Sequence, residues 1–185
     1  MVILVFIAGA AGSYFFMKHF SPASRQAVQG QPQPSLPASK DFFVVRIFQP
    51  RDGKLEMTER KLPRRTKNIA VAEAVMEEFF RGAGNGSHIP GDVKLLGLYR
   101  DMNQILYVDL SDELRRNFQG DAFDEYLVLK GMYESLISNV QDIQDLKVLV
   151  EGKEIESLGG HFYLKYPLKN TVLTEPKTES KPANE

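Results

Sequence analysis

The sequence contains no cysteine. This excludes disulfide bonds, cysteine-ligated metal sites, a thiol nucleophile and a lipid-carrying N-terminal cysteine. It does not assign a compartment, because cysteine-free proteins occur on both sides of a membrane. The formal net charge is only -1, so the chain has no global basic field that would attract nucleic acid. Function must therefore be sought in local motifs, and no nucleic-acid partner is expected.

Residues that could carry catalysis are few and poorly spaced. The three histidines, His19, His88 and His161, show no spacing that is typical of a metal site. Ser111 lies outside any G-x-S-x-G nucleophile motif, and the glycine-rich segment 82–86 follows a predicted helix, whereas a phosphate-binding loop precedes one. We therefore predict a protein that is not an enzyme, with no catalytic residue, no metal and no cofactor.

An uncharged apolar run opens the chain. Residues 1–17 carry no charge, and Lys18 follows them. The run is at the short limit for a membrane-spanning helix, which needs roughly 17–25 residues. We predict that residues 1–20 are a transmembrane anchor or signal segment, and that a single pass places the folded domain on the extracytoplasmic side, periplasmic or outer. A cleaved signal peptide, with small residues at 8–11 as the cleavage site, and a buried core helix are the alternatives.

The rest of the chain divides by composition into three parts. Residues 21–39 are rich in proline and glutamine and lack periodic apolar residues, which predicts an extended linker. Residues 40–168 are numerous enough to bury a hydrophobic core unaided. Residues 169–185 are polar, and we predict a disordered tail.

Within residues 40–168 the periodicity predicts the order β-β-α-β-β-α-β. Asp52-Gly53 is a hairpin signal, and Asn68 and Ser111 are predicted to cap helices. The fold class is therefore α+β, a mixed β-sheet with two main helices packed on one face, preceded by a single N-terminal membrane helix. The buried face of the second helix is predicted from its apolar spacing, with one lysine as a polar exception: Phe123, Tyr126, Leu127, Lys130, Tyr133, Leu136, Ile137 and Val140. The acidic residues at 121–125 are read as favourable charges at the start of that helix.

One basic run stands out, and it is the candidate partner- or polymer-binding site: Arg60, Lys61, Arg64, Arg65 and Lys67. Such a run could contact acidic lipid head groups, an anionic wall polymer or a protein partner. The alternative is a solvated edge strand, on which basic side chains deter aggregation. No aromatic residue interrupts the run, so it is a poor platform for nucleic acid. The turn at 159–161 is a second candidate contact.

Several segments, in this order and spacing, resemble the GerMN domain family of spore germination and sporulation proteins. The resemblance covers 42–168 and is carried by 68–75, 88–90, 105–111, 148–153, 158–164 and 167–168. It implies an extracytoplasmic α/β domain, often behind a lipoprotein signal or membrane anchor, and it implies no catalytic residues. The sequence has one such domain, whereas the family's namesake has two.

Together these observations predict a membrane-anchored, extracytoplasmic, non-catalytic GerMN-like domain. We expect it to act as a protein-interaction or assembly module of the cell envelope, with other envelope proteins or further copies of itself as partners, and a role like those in sporulation or germination is open. A module that binds peptidoglycan or another envelope ligand is the alternative, and a wall hydrolase is a weaker one.

Overall fold

The computed structural model describes residues 41–83 and 86–174. The predicted anchor, the linker and most of the predicted tail lie outside those ranges. None of the helices within them is long and apolar enough to cross a membrane. The elements of the described residues follow one another as β1 (Phe42–Arg51), β2 (Lys54–Pro63), α1 (Asn68–Arg81), β3 (Leu95–Arg100), β4 (Ile105–Leu110), α2 (Glu113–Arg116), α3 (Ala122–Ile137), β5 (Asp145–Val150), β6 (Lys153–Glu154) and α4 (Lys169–Leu173).

Strands β1 and β2 form an antiparallel hairpin that is a sheet of its own. Asp52 and Gly53 at its turn both have positive φ, as the sequence signal for a tight hairpin predicts. Side chains alternate along β1: Val45 and Ile47 are buried, whereas Val44 is half exposed. One face of the hairpin therefore packs on the core and the other faces solvent.

The free edge of β1 is occupied by two side chains of the α3 region. Ser135 accepts a hydrogen bond from the Phe48 N–H at 2.9 Å. Asn139 accepts from the Arg46 N–H at 2.9 Å and donates to the Arg46 carbonyl. These bonds take the backbone groups that another strand would need, because an edge strand offers unpaired N–H and C=O groups. The prediction of a single sheet is therefore wrong: the described residues form two sheets.

The second sheet has the strand order β3-β4-β5-β6 and is mixed, as predicted. Strand β4 is antiparallel to β3 and parallel to β5, to which it connects through α2 and α3. Every second pair of residues in register on β4 and β5 points to one side of this sheet, which is apolar and buried. These pairs are Leu106 with Leu146, Val108 with Val148, and Leu110 with Val150.

The two main helices pack with that apolar side into one core. Val75, Met76 and Phe79 of α1 are fully buried. On α3 the buried positions include Val128, Leu129, Met132 and Leu136. Each such side chain stabilises the fold by about 1.5–3 kcal/mol relative to an exposed one. The α+β class with helices on the sheet's apolar side is thus confirmed.

The predicted face of α3 is only partly correct. Phe123, placed on it, is 39% exposed, whereas Glu125, Val128 and Leu129, placed outside it, are buried. The helix lies between the hairpin and α1 and also contacts α4, so it is covered around most of its circumference. A single stripe cannot describe a helix that is buried on several sides.

Two predicted caps are replaced by longer-range bonds. Helix α1 begins at Asn68, so its N-cap residue is Lys67, which makes no side-chain cap. The side-chain amide of Asn68 instead donates a hydrogen bond to the Gln141 carbonyl at 3.0 Å. The Ser111 hydroxyl accepts from the Lys94 N–H at 2.9 Å and so joins the loop before β3 to the end of β4.

Helix α4 begins one residue after the predicted end of the domain. Val172 on this helix is fully buried, and the Lys169 N–H donates to the Asp145 carboxylate at 2.9 Å. Folded structure therefore extends through α4 into the segment predicted as a disordered tail. Two adjacent apolar residues, Val172 and Leu173, in a short polar segment give no periodic signal from which such a helix could be predicted.

Candidate interaction site

The first turn of α3 is fixed by a reciprocal capping box. The Asp121 carboxylate accepts from the Phe123 N–H at 2.8 Å and the Asp124 N–H at 3.0 Å. The Asp124 carboxylate accepts from the Asp121 N–H at 3.1 Å. The Asp124 amide, followed by the Phe123 amide, lowers the pKa of Asp121 because these bonds favour its charged form. Asp121 and Asp124 thus cap the helix at its start, where acidic side chains were predicted to be favourable.

The third carboxylate, that of Glu125, has a different role. It is completely buried and accepts hydrogen bonds from the Leu158 N–H and the His161 N–H, both at 3.0 Å. The His161 ring nitrogen Nδ1 lies 2.9 Å from the same carboxylate. This contact is a hydrogen bond to the carboxylate in the tautomer that carries its proton on Nδ1. We call this set of three bonds the Glu125 clasp; it attaches the loop 156–166 to α3.

Two glycines let the loop reach the clasp. A Cβ at Gly159 would lie 2.7 Å from the Phe118 ring and 3.0 Å from the Glu125 carboxylate, so only glycine fits without movement. Gly160 has φ +95°, a conformation that residues with a Cβ rarely adopt. The candidate turn at 159–161 is therefore a tight turn built around a buried acid.

The loop presents aromatic side chains to solvent beyond the clasp. The Phe162 ring packs on Tyr126 of α3 with 6.0 Å between centroids. Tyr163 and Tyr166 are 53% and 66% exposed and contact each other edge to face at 6.0 Å. A shallow depression of about 220 Å³ lies beside them, lined by Glu156, Ser157, Gly160, His161, Phe162 and Tyr163.

His88 also contacts the start of α3. Its Nδ1 is 3.1 Å from the Gln119 carbonyl, and its Nε2 is 3.5 Å from the Asp124 carboxylate. The prediction of a loop histidine bonded to backbone is confirmed for His88. His161 differs, because its ring contacts a buried carboxylate.

A larger depression, of about 370 Å³, lies near α2 and β6, and its lining contains as many acidic as basic residues. Asp112 pairs with Arg115 at 3.1 Å and Arg116 at 2.8 Å. The hydrogen bond from Arg116 is the main cause that lowers the pKa of Asp112. Glu154, also in its lining, pairs with Lys147. With its cations and carboxylates neutralising each other, this surface offers no net charge for an ionic ligand.

The structure does not gather the basic run into one patch. Lys61 pairs with Val44 and Arg60 with Val45 across the hairpin, and successive strand residues point to opposite faces. Arg60 and Lys61 therefore project on opposite sides of β2.

The remaining basic residues follow β2. Arg64 forms an exposed ion pair with Asp41 at 3.7 Å. Arg65 lines a depression of about 170 Å³ together with Glu77 of α1, and Lys67 precedes α1. The binding role assigned to the run stays a prediction, and its residues are exposed cations that do not form one patch.

Across residues 41–83 and 86–174 no group of three or more histidine, aspartate or glutamate side chains could hold a metal ion. Sequence reasoning missed Glu125 as the buried centre of the site. A signal was available, since Leu129 and Met132 follow it at helical spacing and place it on a buried face. A glutamate on such a face requires a partner, because an unpaired charge is very costly to bury.

Three solved structures are similar to this chain at low sequence identity. A candidate lipoprotein from Clostridium perfringens superposes with a TM-score of 0.50 at 19% identity, over 68% of this chain and 86% of that one. The tandem GerMN domains of the sporulation protein GerM from Bacillus subtilis give 0.49 at 13% identity, over 70% of this chain and 48% of that one. The first GerMN domain of GerM alone gives 0.47 at 14% identity, over 66% and 92%.

No curated protein matches the sequence. The model of the family Germane, described as sporulation and spore germination, matches residues 46–156. Those residues span both sheets and both main helices, from β1 to β6. Because the match covers more than half of the chain, the protein belongs to the Germane family and contains a GerMN-like domain.

Proposed function

We propose that the protein is a non-catalytic interaction module of the cell envelope, held on the extracytoplasmic side by an anchor in residues 1–20. The family description gives sporulation and spore germination as the setting of related domains, and a relative of the same fold is a candidate lipoprotein. The proposal of an anchor is supported by the run 1–17, which is apolar, uncharged and at the lower length limit for a membrane-spanning helix.

The observation that carries the non-catalytic part is the engagement of the polar side chains that could do chemistry. Glu125 holds the loop 156–166, Asp121 caps α3, and the Ser111 hydroxyl bonds the Lys94 backbone. These groups stabilise the fold with their polar atoms. What the domain presents outward is a hairpin face, on which half-exposed apolar residues lie among charged ones, and an aromatic loop; both are surfaces for binding.

A protein partner is tested by photocrosslinking in cells. A photoreactive residue is placed at Val44 on the hairpin or Tyr163 on the loop, with Met102, in the fully exposed turn between β3 and β4, as the control. We expect at least one of the first two positions to give a crosslinked product of one defined mass in the membrane fraction. Its second component should be an envelope protein or another copy of the chain. Absence of any defined product from both positions would contradict the proposal.

Binding of peptidoglycan or another envelope ligand is the second candidate function. It is favoured by the paired, exposed tyrosines of the loop 156–166 rather than by the dispersed basic run.

A further inference from the structure

The loop 156–166 combines two features that differ in chemistry and lie side by side. Tyr163 and Tyr166 present aromatic rings of which more than half is exposed. Next to them, the 220 Å³ depression has three residues with polar side chains in its lining, Glu156, Ser157 and His161. Single exposed apolar residues are ordinary, but a contacting pair beside a polar depression forms a continuous amphipathic surface.

This surface is held rigid before any ligand arrives. The Glu125 clasp fixes the turn at its start, and Phe162 packs on Tyr126. The Leu164 N–H donates to the Glu156 carbonyl at 2.8 Å, and the Leu164 side chain is 1% exposed. Tyr163 therefore projects outward from a backbone that is anchored on both sides. A preorganised surface loses little conformational entropy when a ligand binds.

We propose that the loop 156–166 binds sugar rings of an envelope polysaccharide. A pyranose ring has a face made of C–H groups, which carry partial positive charge and match the negative face of a tyrosine ring. Its hydroxyl and acetamido groups point outward from the ring edge, where they can donate to Glu156 and exchange hydrogen bonds with Ser157 and His161. The tyrosines thus take the apolar face of a sugar, and the depression takes its polar edge.

The size and charge of the surface select this ligand over others. The depression is smaller than the roughly 300–1,000 Å³ that encloses a drug-sized molecule, so it takes about one ring while neighbouring rings extend over the tyrosines. Nucleic acid also stacks on aromatic side chains, but it requires a basic groove, and here the lining contributes a carboxylate. The loop consequently suits a neutral polymer unit.

This inference names the ligand of the second candidate function and rests on the extracytoplasmic placement in the proposed function, since that is where such polymers occur. A binding assay with purified protein separates the two: it reports on the loop whatever the location of the protein in the cell, and a topology assay reports on the location whatever the loop binds.

The test uses the full chain in a detergent without a sugar head group and measures binding of two soluble probes, a tetramer of N-acetylglucosamine and a tetramer of glucose. We expect one of them to bind, and the one that does identifies the class of ring. Tyr163→Ala should weaken that binding by about tenfold, which is the effect of losing one stacked ring. Tyr166→Ala should also weaken it. Tyr99→Ala is the matched control, because this β3 tyrosine is 56% exposed and outside the loop.

Three outcomes would overturn the inference. In the first, the wild type binds neither tetramer. In the second, Tyr163→Ala and Tyr99→Ala weaken binding equally. In the third, an Arg64→Gln, Arg65→Gln double variant loses binding while Tyr163→Ala retains it. The last would assign binding to the basic run. Thermal unfolding of each variant shows that a loss is not a folding defect, since Tyr163 is a surface residue whose removal leaves the core intact.

Discussion

The Glu125 clasp should be the most sensitive polar feature of the domain, and Glu125→Ala tests it. The substitution removes the acceptor of two backbone N–H groups, that of Leu158 in a buried setting and that of His161 in a partly buried one. Each donor left unsatisfied costs about 1–3 kcal/mol. Removing a buried charge offsets part of that cost, so we expect a net loss of about 3 kcal/mol in the free energy of unfolding.

For a domain of this size the loss corresponds to a fall of about 10 °C in Tm. Glu125→Gln keeps one carbonyl acceptor and should lose about half as much, because one of the two backbone donors retains its partner. Glu73→Ala is the control, an exposed glutamate on α1 that should change stability by less than about 0.5 kcal/mol.

Calorimetry measures the stabilities, and hydrogen exchange gives a local measurement. In wild-type protein the Leu158 and His161 amides should be protected, and in Glu125→Ala they should exchange fast while amides in the centre of β4 stay protected. The reasoning fails if Glu125→Ala is no less stable than Glu73→Ala, or if both loop amides exchange rapidly in the wild type.

Three further perturbations follow from the contacts. Gly159→Ala places a Cβ against the Phe118 ring and should cost about 1–3 kcal/mol in chemical denaturation; unchanged stability would show that the loop readily gives way. Asn139→Ala frees the Arg46 backbone at the β1 edge and should cost about 1–2 kcal/mol and raise self-association measured by ultracentrifugation; a stable, equally monomeric variant would contradict edge protection. The pKa of Asp121 is lowered in the folded protein, so its contribution to stability is complete above its ordinary pKa of 3.8 and is lost as pH falls through the lower folded value. Asp121→Ala should therefore show a shallower loss of Tm on acidification than the wild type. Parallel curves of Tm against pH would refute this.

Local features of the fold could be predicted from the sequence because their causes are local. The Asp52-Gly53 turn requires positive φ at both residues, which these types tolerate, and the structure has it. Helix α1 forms where the sequence predicts a helix after Asn68, since its apolar residues recur at helical spacing.

The failures involve partners far away in sequence. The β1 edge is closed by Asn139, 93 residues from Arg46, and no local pattern indicates that two sheets form instead of one. Glu125 was read as a favourable charge near a helix start, but its donors lie 33 and 36 residues further on. Polar side chains that bridge distant segments are chosen by tertiary packing, so local reasoning assigns them to caps and charged faces.

The central claim, a tethered module outside the cytoplasm, is tested most directly by one topology measurement. A reporter enzyme that is active only outside the cytoplasm is fused after Glu185, the cells are fractionated, and the mature N-terminus is read by mass spectrometry. The account predicts an active reporter in the membrane fraction with residues 1–20 retained. An inactive reporter in the cytoplasmic fraction would contradict it.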